Sequence, residues 1–407
     1  MARFRDNAML QTRDGRLFLG AQSLDATAIG VAQVALPWLV LDATGSEAQA
    51  GLVFMLGVAP YVVFGLPAGL VADRFRRQRV IWIAHAFQAL MAVIVPIWAL
   101  SGTPPIAVVA TTAFLIGSAR AFSDAGAFGA VSSLVGREHF SGGQALLAAS
   151  WSIGLVAGPA LGGALIGLIG AAAALVVQAI SFAVAAILIL LVRSSFGDPV
   201  ASDGHFLEGA WAGVTYLVTD PLLRTLSGVG TLWNLAAAGS FALAVPLMRE
   251  EIGLSSHQAG AALAAGALAG IAAAPILHRV ERRWRGPELY VITIFASAPP
   301  MALLGLAGGF YGALLANVLV NLIDWIVMSV FIGERQRRAP EEMQARVGIS
   351  GRMLMTASMT VGTAIASALT ASFTLRELFV AMAVATVLVG VLAVPLVRRA
   401  SRRLAVA

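Results

Sequence analysis

The chain has no cysteine, which excludes a disulfide framework and thiol-based metal chemistry. It has no lysine either: all 27 basic residues among its 407 are arginine. A G-x-x-x-x-G-K-[ST] phosphate cradle therefore cannot occur, which argues against ATP hydrolysis as an energy source. Charge of any kind is scarce. Charged residues make up 12% of the chain, where soluble domains carry about 25%. His85, His139, His205, His257 and His278 are scattered through different segments, so no metal cluster and no cofactor is expected. The N-terminal stretch MARFRDNAMLQTRDGR is basic and polar without a short apolar core, so no signal peptide is expected.

What the chain has in abundance is apolar length. It is 59% hydrophobic with a mean hydropathy of +0.85, the composition of an integral membrane protein. A spanning helix needs about 20 apolar residues, and roughly twelve such runs can be marked off. In the first half they cover 17–41, 50–72, 80–100, 106–128, 146–166 and 171–191. In the second they cover 222–247, 260–277, 289–306, 310–332, 349–371 and 378–397. The expected fold is an all-α membrane protein of twelve spans in two six-helix halves, 17–192 and 222–397. A cytoplasmic segment 1–16 precedes them, a linker 193–221 with a surface helix near 206–217 joins them, and a tail 398–407 follows.

Arginines test this topology, because basic loops stay cytoplasmic. With both termini inside, all but Arg120, Arg249 and Arg376 fall on the cytoplasmic side. That distribution orients helices and gives no nucleic-acid-binding patch. The densest cluster is GLPAGLVADRFRRQR, 65–79, where an apolar run stops at Asp73 and four arginines follow.

Within the spans, polar residues recur on every third helix. Span one carries Gln22, Asp25 and Gln33, and span four carries Arg120 and Asp124 at i, i+4, close enough to pair. Span seven carries Ser227, Thr231 and Asn234, and span ten Asn317, Asn321 and Asp324. This period implies four helices lining one water-filled cavity, built from three-helix repeats. Asp25, Arg120 and Asp324 lie about eight to twelve residues from their cytoplasmic ends, or roughly 12 to 18 Å. Ionisable groups at that depth cost at least ~2.5 kcal/mol and mark a substrate or proton path. Trp151, Trp233, Trp325 and Met328 would suit an apolar or amphipathic substrate. These polar groups are too sparse and too deep for a membrane hydrolase, for which Ser123 beside Asp124 would be the place to look.

From spans one to twelve the chain resembles the major facilitator superfamily, in particular its branch of drug, macrolide and enterobactin exporters. Gly69, Ala72, Asp73, Arg74 and Arg77 look like the signature loop after span two, although the family pattern has glycine where this chain has Arg76. Arg120 is similar to the arginine of the family's span-four motif, with Asp124 and Ala125 replacing the usual neighbours. Gly154, Gly158, Pro159, Gly162 and Gly163, in SIGLVAGPALGG, match the span-five signature of exporters that exchange substrate for protons. The tract QRRAPEEMQARVGIS, 336–350, is also similar to this branch, whereas the loop 278–286 keeps the arginines of a second-half copy with only Glu281 as an acid.

The resemblance implies a non-enzymatic, proton-coupled antiporter, acting as a monomer in the bacterial cytoplasmic membrane. It would export a lipophilic or amphipathic small molecule by alternating access. Asp25 is the first candidate for carrying the proton, Asp324 the second and Asp124 the third. Gln22, Gln33, Arg120, Thr231, Asn234, Asn317 and Asn321 would line the substrate cavity, and Gly69, Asp73, Arg74 and Arg77 would form a cytoplasmic latch. An importer or facilitator on the same fold, or a non-transporting sensor or scaffold, is the alternative.

Overall fold

The computed structural model describes residues 8–136, 138–194, 196, 206–284, 286–340 and 343–406, and among them every regular element is helical. Arg137, Asp198, Asp203, His205, Arg285, Glu341 and Glu342 of the loops lie outside the described residues.

After a helical turn at Ala8–Gln11, the first six expected spans correspond to α1 (Arg13–Thr44), α2 (Glu47–Val58 and Pro60–Arg74), α3 (Arg77–Ala92 and Ile94–Ala99), α4 (Ile106–Val135), α5 (Phe140–Ile169) and α6 (Ala171–Leu190). The others are α7 (Pro221–Ala237, Gly239–Ala242 and Ala244–Pro246, then a π-turn to Glu251), α8 (Ser256–Glu281), α9 (Gly286–Gly305), α10 (Phe310–Arg338), α11 (Gln344–Leu369) and α12 (Leu375–Val406). Most helices run past the apolar limits read from sequence, because a helix does not stop where the hydrocarbon does. Among the described residues nine helices are long and apolar enough to cross a membrane alone, and eleven if each bent pair counts as one span. The remaining helix, α11, has ample length at 26 residues but carries Arg346, Arg352 and hydroxyl side chains along it.

Prolines account for most of the interruptions. A proline withholds its N–H and crowds the carbonyl four residues back. Pro60, Pro96, Pro246 and Pro275 follow the breaks or bends at Ala59, Val93, Leu243 and Ala274 within three residues. The sharpest bends measure 44° in α7 and 42° in α8. Gly170, at φ 86°, makes the tight turn between α5 and α6 in a conformation that a residue with a Cβ adopts only under strain.

The helices group into two compact units, Met1–Gly45 with Leu56–Asp203, and Ser46–Met55 with Gly204–Ala407. Inside the first, α1 packs on α5 and α6, α2 on α4, and α3 on α4 and α6. Inside the second the same pairings recur six helices later: α7 on α11 and α12, α8 on α10, α9 on α10 and α12. Lipid tails are as apolar as leucine, so packing quality and small residues, more than escape from water, hold such pairs. Phe18, Ile81, Leu147 and Ile189 centre one core, and Leu226, Tyr290, Ile294 and Val327 the other.

The linker helix Phe206–Thr219 ends at Asp220, whose carboxylate caps α7 by accepting from the Leu222 and Leu223 N–H groups at 2.9 and 2.7 Å. Tyr216 donates to the Arg338 carbonyl at 3.0 Å, tying the linker to α10 within the second unit.

Candidate functional site

The first unit's site is built around α1. Asp25 is 2% exposed and places Oδ1 3.4 Å from His85 Nδ1 on α3. The same Nδ1 lies 3.0 Å from Gln88 Oε1, and His85 Nε2 lies 3.4 Å from Ser123 Oγ on α4. All four side chains are buried. Asp25, which has no acid or base three or four residues away, thus has a partner on another helix. His85, read from sequence as one of five unrelated histidines, is that partner.

Gln22 does not join this cluster. Its Oε1 accepts from Trp151 Nε1 on α5 at 3.0 Å, and Trp151 in turn packs edge-on against Phe128. Three residues advance a helix by 300°, leaving Gln22 and Asp25 about 60° apart, enough to turn them to different neighbours. The expectation that they form one stripe on a common chamber is corrected accordingly. Gln33 is half-buried further along α1.

On α4 the expected pair is present, with Arg120 Nε 3.9 Å from Asp124 Oδ2. It is also larger than expected. Tyr61 of α2 donates to Asp124 Oδ2 at 2.5 Å, so the acid is shared between a cation and a phenol. Ser123 and Asp124 are adjacent in sequence yet serve two polar clusters, and Ser123 meets a histidine without forming any nucleophilic triad with Asp124.

The span-five glycines explain how α1 is held. A Cβ on Gly154 would sit 2.6 Å from Ser23 O and Thr27 N, the residues flanking Asp25. On Gly158 it would lie 2.6 Å from Thr27 O and Gly30 Cα, and on Gly162 2.9 Å from Val31 O. Real Cβ contacts do not approach 2.6 Å. Pro159 closes on Gly30 from the same seam, and Gly163 is buried beside it. α1 and α5 therefore meet backbone to backbone, while Asp25 meets α3.

At the end of α2, Arg77 reaches Asp73 at 3.4 Å and donates to the Gly129 carbonyl of α4 at 3.0 Å. Gly129 was not anticipated; its lack of a side chain is what admits the guanidinium. Arg76 sits at φ −57°, so the turn closes without the left-handed residue that glycine would favour. Gly69 is half-buried and Arg74 exposed, away from this contact.

The second unit's polar stripe is mostly committed to helix backbone. Thr231 Oγ1 donates to Ser227 O at 2.9 Å and Asn234 Nδ2 to Gly230 O at 3.2 Å, both on α7. Asn317 donates to Ala262 O of α8 at 2.7 Å, and Asn321 to Asn317 O at 2.9 Å. Trp233 is buried with its N–H on Ser297, which corrects its assignment to a substrate-facing set, whereas Trp325 is 50% exposed. Asp324 stands apart. It is 5% exposed, and neither carboxylate oxygen has a hydrogen-bond partner among the described residues.

The three arginines that break the inside-positive pattern are each paired. Besides Arg120, Arg249 lies 2.9 Å from Glu250, and Arg376 lies 3.2 Å from Glu251. The loop after α8, which looks degenerate in sequence, is bridged as well: Arg337 of α10 reaches Glu334 at 2.6 Å and Glu281 at 3.7 Å.

Helical pairing that repeats after six helices, a glycine seam in α5 and the loop after α2 together define a membrane transporter of the two-lobed type. The profile of the Major Facilitator Superfamily matches residues 18–351, and the chain belongs to that family. Over 390 residues it is 28% identical to the multidrug efflux pump Tap of Mycolicibacterium fortuitum, covering 91% of this chain and 92% of that one. It is 24% identical over 349 residues to the enterobactin exporter EntS of Escherichia coli O81, covering 86% and 82%. Among solved structures, a bacterial homologue of the lysosomal transporter Spinster, in an inward-facing state, superposes with a TM-score of 0.76 at 15% identity over 99% of this chain and 98% of the other.

Proposed function

We propose that this protein exports a lipophilic or amphipathic small molecule across the bacterial cytoplasmic membrane in exchange for protons, with Asp25 as the proton-coupling group. Both termini face the cytoplasm. The observation that carries this is the buried carboxylate of Asp25, set between a glycine seam on α5 and an imidazole on α3. A buried ionisable group at membrane depth is costly and is a natural place for a proton to bind and leave. The efflux relatives, similar over nine-tenths of the chain in one case and more than four-fifths in the other, support the direction.

Asp324, with no hydrogen-bond partner among the described residues, is the second candidate for a proton or a cationic substrate group, and Asp124 the third, since Tyr61 and Arg120 already hold its charge. Asp73 and Arg77, anchored on Gly129, form the latch at the cytoplasmic end.

The driving force suffices. One proton moving down 100 mV and one pH unit releases about 2.3 + 1.4 kcal/mol, enough for roughly a 500-fold gradient of a neutral substrate.

The test is accumulation of a fluorescent lipophilic compound in inverted vesicles. Accumulation that appears with an imposed pH gradient and collapses with a protonophore is expected. Equilibration that ignores the gradient would support a facilitator, and no movement at all a sensor or scaffold.

A further inference from the structure

The Asp25 cluster contains a group, His85, whose own part the exporter reading leaves unassigned. His85 is fully buried in α3, and its two ring nitrogens face different chemistry. Nδ1 is surrounded by acceptors, Gln88 Oε1 at 3.0 Å and Asp25 Oδ1 at 3.4 Å. A proton on Nδ1 would be donated to Gln88 Oε1 and would face the Asp25 carboxylate. Nε2 faces only the Ser123 hydroxyl at 3.4 Å. A hydroxyl donates to a neutral nitrogen and, after rotation, accepts from a protonated one. With Nδ1 carrying a proton, Nε2 has in Ser123 a partner that serves whether that nitrogen is bare or protonated.

Other charges near this pair come from α2 and α4. Arg120 and Asp124 act on Asp25 together with His85, and Tyr61 is bonded to Asp124. The remaining helices packed here, α5 (Phe140–Ile169) and α6 (Ala171–Leu190), contain no titratable side chain.

We propose that His85 shares the coupling proton with Asp25: the two hold one exchangeable proton between them and titrate as a single unit, with Ser123 as the reversible hydrogen-bond partner. This rests on Asp25 being the coupling group. In each cycle the pair takes one proton from water, at Nε2 or at the Asp25 carboxylate, and returns it to water. The buried pair thereby alternates between a net charge of minus one and zero, and that change is felt by α1 and α3 together.

The test uses the full chain in lipid nanodiscs with 15N-labelled histidine rings, the His85 resonance being assigned by its loss in His85→Gln. Groups coupled this closely shift each other's midpoint by more than about one pH unit. Asp25→Asn is expected to move the His85 titration by at least that much, and Ser123→Ala to move it while leaving thermal stability unchanged. His85→Gln is expected to shift the pH profile of gradient-driven transport by a similar amount. A His85 titration indifferent to Asp25→Asn overturns the proposal, as does a His85→Gln transport profile superimposable on wild type. Should His85→Gln fail to fold, Asp25→Asn and Ser123→Ala decide on the resonance alone, as the histidine signal that each displaces. If wild type shows no gradient-driven transport while the coupling persists, the antiport reading fails and the coupled pair stands.

Discussion

Asp25 in the first unit meets an imidazole at 3.4 Å and lies on a helix locked by glycines. Among the described residues Asp25 Oδ1 makes no hydrogen bond, and neither oxygen of Asp324 in the second unit, almost as deeply buried, makes one; what separates the two is the ring beside Asp25. The seams differ in the same sense. α5 approaches the α1 backbone through Gly154, Gly158 and Gly162, whereas in the corresponding pair α11 approaches the α7 backbone through Gly362, a Cβ there lying 2.7 Å from Leu235 O, and Gly239 of α7 closes on the Ala366 side chain. On the proposed function these two environments would serve different tasks: the carboxylate beside His85 would hold and release the proton, and Asp324 would meet a variable ligand.

The largest effect that would break this contrast is at Asp25. Asp25→Asn should reduce the gradient-driven accumulation ratio from the order of 500-fold to near one, while substrate binding survives. Vesicle accumulation measures the first and fluorescence binding the second. Asp324→Asn should cost less than about tenfold in accumulation, under ~1.4 kcal/mol, and should alter which substrates are moved. If the two variants exchange phenotypes, the assignment of proton and ligand roles is reversed.

A step smaller, Gly158→Leu should destabilise the first unit by about 1–3 kcal/mol through overpacking against Thr27 and Gly30, read as a lower Tm in detergent. Gly362→Leu should cost less, because one backbone approach from α11 is easier to relax than three from α5; an equal or greater loss would show that the seams are equivalent. The smallest effect is at the latch. Asp73 is nearly half exposed, and such pairs contribute up to ~1 kcal/mol. Asp73→Asn should therefore slow turnover about two- to fivefold with unchanged KM, measured as initial efflux rates.

Much of the fold was legible because hydropathy reports spans directly, whereas the bends of α7 and α8, beside Pro246 and Pro275, were not read. The glycines of α5 were legible as a packing face, since a run of small residues has few other uses in a membrane. The partners of the polar residues were less so. Periodicity along one helix groups Gln22 with Asp25, but only the neighbouring helices decide that one turns to Trp151 and the other to His85. One signal was present and passed over: His85 and Gln88, three residues apart in an apolar span, are as costly as the carboxylate they serve. Gly129 and Tyr61 left no comparable trace, because a glycine or a tyrosine in a membrane helix is ordinary until its neighbour is known. Likewise, Thr231, Asn234 and Asn317 look like cavity residues in sequence, yet their donors satisfy backbone carbonyls.

The central claim is that substrate and proton exchange at Asp25. It is tested most directly by counting protons released when substrate is added to the purified protein in weakly buffered solution. Wild type should release about one proton per substrate bound, by the charge balance of a single carboxylate, and Asp25→Asn none. Equal release from both would place the coupling proton elsewhere.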